Sequence, residues 1–141
     1  MSSLADNLPA TAARQDTGNS ALAALAGPVL PATTEALSGA IADTNLHLIG
    51  PFSPQLSRPI CLTVNATTLT SGTVQLLRSI DGGATTLALT VFGDVYGKFG
   101  PYSNAMGALV NEAVWTETSA LATFYLAIAL TAGSVTYNLH Q

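Results

Sequence analysis

Leu69-Thr-Ser-Gly-Thr-Val-Gln-Leu-Leu-Arg-Ser-Ile-Asp-Gly-Gly83 decides how this chain is read. It is echoed near the C-terminus by Leu130-Thr-Ala-Gly-Ser-Val-Thr-Tyr-Asn-Leu-His140. Each copy passes from Leu-Thr through a Gly-centred step and leaves on an alternating stretch that begins with Val. The pattern predicts one hairpin design used twice, and so an antiparallel β module. In the first copy Val74, Leu76 and Ile80 share one face of a strand, while Gln75, Leu77 and Ser79 share the other. Arg78 interrupts the apolar pattern near the strand end. Asp81-Gly82-Gly83 predicts a tight turn, because glycine tolerates the positive φ of primed turns. The returning strand is expected over Thr85–Phe92.

Working outward, Asn45–Ile49, Ile60–Leu69, Leu109–Thr118, Ala120–Thr131 and Ser134–Gln141 are further strand candidates. The glycine-rich Gly93–Ala108 reads as a long loop or two short edge strands. Regularly spaced short strands with turn signals between them predict an all-β, antiparallel two-sheet β-sandwich, jelly-roll or Ig-like, over residues 45–141.

Residues 1–44 differ. They are rich in Ala, Ser, Thr and Pro, and they are expected to form an arm that docks on a neighbour or wraps the domain. Ser20–Gly27 predicts a short helix with Ser20 as N-cap. Thr33–Ala42 predicts another, capped by Thr33 or Thr34, with Leu37 and Ile41 four apart on one face. Such short pieces need a surface to lie on or an extended alternative. Leu22, Leu25, Leu37 and Ile41 are therefore the expected partner contacts.

Composition narrows the function classes. Only 9% of the 141 residues are charged, against roughly 25% in ordinary soluble domains. A chain this poor in charge is expected to cover much of its surface with copies of itself or another protein, as a homo-oligomer with a trimer favoured; the alternative is a surface covered by Thr, Ser and Asn. The net charge of −4, with Arg14, Arg58, Arg78 and Lys98 as the only Lys or Arg residues, opposes nucleic-acid and anionic-membrane binding. Cys61 is the only cysteine, which rules out an intrachain disulfide; it reads as a small buried hydrophobe. No stretch has the ~20 continuous apolar residues of a membrane span. The N-terminus has no basic region followed by an apolar core, so a route other than secretion by a signal peptide is expected.

No motif points to catalysis. His47 and His140 are the only histidines and lie far apart, which argues against a metal site. Asp81, Asp94, Glu112 and Glu117 are scattered, and no Gly-x-Ser-x-Gly elbow is present. The chain is expected to be non-enzymatic, with no cofactor. Tyr96, Tyr102 and Trp115 form either an aromatic sugar platform or packing and interface contacts.

The run Gly72-Thr-Val-Gln-Leu-Leu-Arg-Ser-Ile-Asp-Gly-Gly83 resembles a pattern in small structural proteins of tailed bacteriophages. The likeness extends through Asn111–Thr118 to Gly133-Ser-Val-Thr-Tyr-Asn-Leu-His-Gln141 and covers roughly residues 60–141. It leaves out the arm and departs at Gly93–Ala108. It implies a virion component, assembled in the host cytoplasm, that decorates a capsid or forms part of a head fibre. The partner would be the major capsid protein or another virion protein. The alternative is a tail or baseplate component with a carbohydrate-binding tip.

Overall fold

The computed structural model describes residues 35–141. Its strands are β1 (Leu37–Ile41), β2 (Leu46–Phe52), β3 (Pro59–Ser79), β4 (Leu87–Val91), β5 (Asp94–Tyr96), β6 (Lys98–Thr116), β7 (Thr123–Ala132) and β8 (Val135–His140). All pair antiparallel in one eight-stranded sheet. The expectation of an all-β antiparallel chain holds, and no helix forms among the described residues.

β3 is the spine. Its even-numbered residues Ile60, Leu62, Val64, Ala66, Val74 and Leu76 are all buried, as period-2 alternation requires. Along one side, β7 pairs with Ser71–Ser79 and β8 continues along Cys61–Ala66. β7 and β8 thus form one line that breaks at Gly133. β1 and β2 repeat this outside them: β1 lies on β8 and β2 lies on β7. On the other side of β3, β6 runs from Gln75 back to Pro59, with register shifts between Ala66 and Val74.

This corrects the opening expectation. Neither Leu-Thr-x-Gly copy is a hairpin. They face each other across the ladder, with Ser71 opposite Ala132 and Gly72 opposite Leu130, and they mark the place where two long strands change course together. Gly133 has φ +88°, and a Cβ there would collide with the Leu69 carbonyl and Thr70. Gly72 has φ +144°, and a Cβ would collide with the Ala129 carbonyl. Glycine inside a strand permits such close backbone approach. The step is clasped by Thr70, which is fully buried. Its hydroxyl accepts from the Ser134 N–H at 3.2 Å and has the Thr68 and Ser134 carbonyls within 3.0 Å as acceptors.

A further expectation changes. The Thr33–Ala42 helix is replaced, over Leu37–Ile41, by strand β1, whose register runs from Leu37 opposite Leu139 to Ile41 opposite Val135. A short helix is marginal alone and Gly39 weakens it further, whereas β8 offers a row of unpaired backbone groups. Part of the expected arm therefore belongs to the sheet. Of the two readings of the glycine-rich Gly93–Ala108, the strand one holds in part: it supplies the short edge strand β5 and the first half of the long β6. The Ser20–Gly27 helix, Leu22 and Leu25 lie outside the described residues.

Residues from both halves of each line enter one apolar core, centred on Phe52, Leu62, Leu76, Phe124, Leu126 and Ile128. Burying each such side chain contributes about 1.5–3 kcal/mol.

Candidate functional site: an aromatic cleft beside the β4–β5 hairpin

The site lies where β3 ends. Beyond Gln75, β6 no longer covers β3, and β4 takes its place with Leu77 opposite Ala88 and Arg78 opposite Leu87. The loop between β3 and β4 is held by its own side chains. The Ser79 hydroxyl donates to Asp81 Oδ1 at 2.7 Å, and the Thr85 N–H donates to the same oxygen at 2.8 Å. The Gly83 N–H donates to Ser79 Oγ at 2.9 Å. The bonds from Thr85 and Ser79 hold the Asp81 carboxyl below its usual range.

Beneath this loop sits a carboxylate that the sequence pattern does not single out. Glu117, just past β6, is 3% exposed. It accepts from Arg78 Nε at 2.6 Å and Arg78 Nη2 at 3.0 Å, a bidentate pair. The indole N–H of Trp115 donates to it at 3.2 Å, and the Thr118 and Ser119 N–H groups donate at 3.0 and 2.9 Å. The guanidinium is the main cause that brings its pKa from 4.5 down to about 2. This explains why Arg78 interrupts an apolar strand. No local signal links Arg78 to Glu117; the long-range strand register brings them together.

Above the pair opens a cleft of about 410 Å³ walled by Arg78, Ile80, Asp81, Leu87, Thr90 and Trp115. Tyr96 closes against Trp115, with ring centroids 6.0 Å apart at 51°. A second, shallower hollow on the far side of Trp115 is lined by Pro59, Val91, Tyr96 and Val114. The structure thus joins two of the three expected aromatics. Tyr102 is elsewhere: its ring packs on the core and its hydroxyl donates to the Leu109 carbonyl at 3.0 Å.

The other expected residues are dispersed. Ile41 is buried in the core and Leu37 packs against it. His47 bonds Asp43 at 2.7 Å. His140 lies opposite Cys61, which is half-buried. Among the described residues no three His, Cys, Asp or Glu side chains gather as metal ligands. Nor do those residues hold a helix long and apolar enough to cross a membrane. The cleft combines aromatic and aliphatic walls, a few polar groups, and a charged pair whose two members already satisfy each other.

Comparison with protein-family models, with curated proteins and with solved structures gave no match.

Proposed function

We propose that this chain is a structural virion protein of a tailed bacteriophage, which decorates the capsid or forms part of a head fibre. In this reading the described residues make a two-layer β-sandwich, the long bent strands folding the sheet over its core. Residues preceding the sheet anchor it to the major capsid protein. Leu22 and Leu25 carry that anchoring, since Leu37 and Ile41 pack within the sheet.

The observation that carries the reading is the apolar load on a surface with little charge. Leu46 is 71% exposed, Leu87 65%, Phe92 105% and Leu121 70%. Exposed apolar side chains in this number, on several elements, suit contact with other molecules, and virion subunits are covered on several sides. The resemblance over residues 60–141 supplies the setting. Deleting residues 1–34 tests the reading: the truncated chain should fold yet fail to attach to particles lacking the native protein. Attachment at the wild-type level would refute it.

A second reading is a tail or baseplate component with a carbohydrate-binding tip. It is favoured by one observation, the Tyr96–Trp115 pair beside a cleft that also presents Asp81, Thr85 and Thr90. A glycan screen of the wild type against Trp115→Ala separates the two. Trp115-dependent sugar binding supports the tip, and its absence removes it.

A further inference from the structure

The β4–β5 hairpin carries a feature that its own fold does not use. Val91 lies opposite Asp94, so Phe92 and Gly93 form a two-residue turn with φ values of 50° and 86°. Primed turns of this kind take Asn, Asp or Gly, because positive φ is unfavourable for residues with bulky side chains. Phenylalanine is therefore poorly suited to the position. It is also 105% exposed, so its ring gains nothing from burial within the described fold. A backbone outlier combined with a fully solvated aromatic points to a contact outside the molecule.

Beside this knob lies the cleft described above. The side chains that present apolar surface on this hairpin and around the two hollows flanking Trp115 are Ile80 at 60% exposure, Leu87 at 65%, Val91 at 38%, Phe92 at 105% and Tyr96 at 44%. Together they amount to about three fully exposed large side chains, or about 600 Å² at roughly 200 Å² each. Burial of all of it, on both sides of Trp115, would just reach the lower bound of a stable protein–protein contact, about 600 Å² per partner. Arg78, the cation of the cleft, is already neutralised by Glu117, so a contact here rests on the apolar groups and must leave Asp81 on the cleft wall and Asp94 beside the turn in water.

We propose that this hairpin is a self-association surface, in which Phe92 of one copy seats in the Ile80–Leu87–Trp115 cleft of a second copy. Knob and cleft sit side by side on one chain, so a two-fold arrangement satisfies both at once. The inference deepens the virion reading by naming a subunit contact, but its test uses purified protein and does not depend on any particle.

The test is sedimentation equilibrium of the full chain, wild type against Phe92→Asn. Asparagine suits the turn, so the hairpin and its thermal midpoint should be kept or improved. The wild type should show a mass of two or more chains at micromolar concentration, and Phe92→Asn should weaken association by about 30-fold, as for a central aromatic contact. Leu87→Asn, on the cleft wall, should weaken it as well. A wild type that stays monomeric at high micromolar concentration would overturn the proposal. So would a Phe92→Asn chain that associates as tightly as the wild type. Trp115-dependent glycan binding by a monomeric wild type would assign the cleft to sugar instead.

Discussion

Replacing Glu117 with glutamine should cost about 2 kcal/mol at neutral pH, and the cost should vanish in acid. In the folded chain the Glu117 carboxyl is held at about 2 instead of 4.5, chiefly by Arg78. At roughly 1.4 kcal/mol per pH unit, that gap corresponds to about 3.5 kcal/mol of stability. Arg78 keeps 31% of its side-chain surface exposed, so solvent screens part of the attraction and about 2 kcal/mol is the expected net. The sign follows from the lowered folded value. Stability is fully present above pH ~4.5, where the unfolded carboxyl is ionised, and is lost as pH falls towards ~2. In the Glu117→Gln chain the single amide oxygen could replace Oε1, which accepts from the Thr118 and Ser119 N–H groups, or Oε2, which accepts from the indole of Trp115, but not both, and the charge would be gone. Urea unfolding of both chains at pH 7, 4 and 2.5 reads the difference directly. A gap near 2 kcal/mol at pH 7 that shrinks to roughly a quarter of that by pH 2.5 supports the reasoning. A gap of the same size at every pH, or one below about 0.5 kcal/mol at pH 7, would refute it.

Other expectations follow from the strand bends and the start of the sheet. Gly133→Ala should destabilise by roughly 2 kcal/mol or more, because it combines an unfavourable φ with a backbone collision; an unchanged thermal midpoint would show that the break does not need glycine. Thr70→Val should cost about 1–2 kcal/mol by removing the buried hydroxyl that accepts from the half-buried Ser134 N–H, which the same unfolding assay measures. A chain beginning at Glu35 should unfold with the wild-type midpoint. One beginning at Asn45 should unfold at a lower midpoint, because it lacks β1 and the buried Ile41; equal midpoints would show that β1 adds nothing.

Period-2 alternation in β3 and β7 is legible in the sequence because each strand buries one face, so composition alone reports its orientation. The Leu-Thr-x-Gly repeat misleads for a physical reason. A hairpin and a bend inside a long strand both call for a glycine at positive φ after an apolar residue. What separates them is the partner across the ladder, and Gly72 and Gly133 lie beside each other there. The same ambiguity hides β6, whose Gly100 and Gly107 are bends of one strand with φ values of 95° and 81°. Around Leu37 and Ile41, a four-residue spacing fits a helix, yet in a strand the same two residues also share a face. The cleft is half legible. Tyr96 and Trp115 stand out as aromatics, but their meeting depends on the β4–β5 hairpin folding back. Glu117 is indistinguishable from other carboxylates until the register pairs it with Arg78.

The central claim is that this protein is a particle subunit held by its N-terminal residues. Cryo-electron microscopy of purified particles, with and without the chain, tests it most directly. An all-β density is predicted outside the shell, repeated with the capsid symmetry or along a head fibre, with its N-terminal residues entering the capsid layer. Particles that contain no such chain, or density confined to the tail tip, would contradict it.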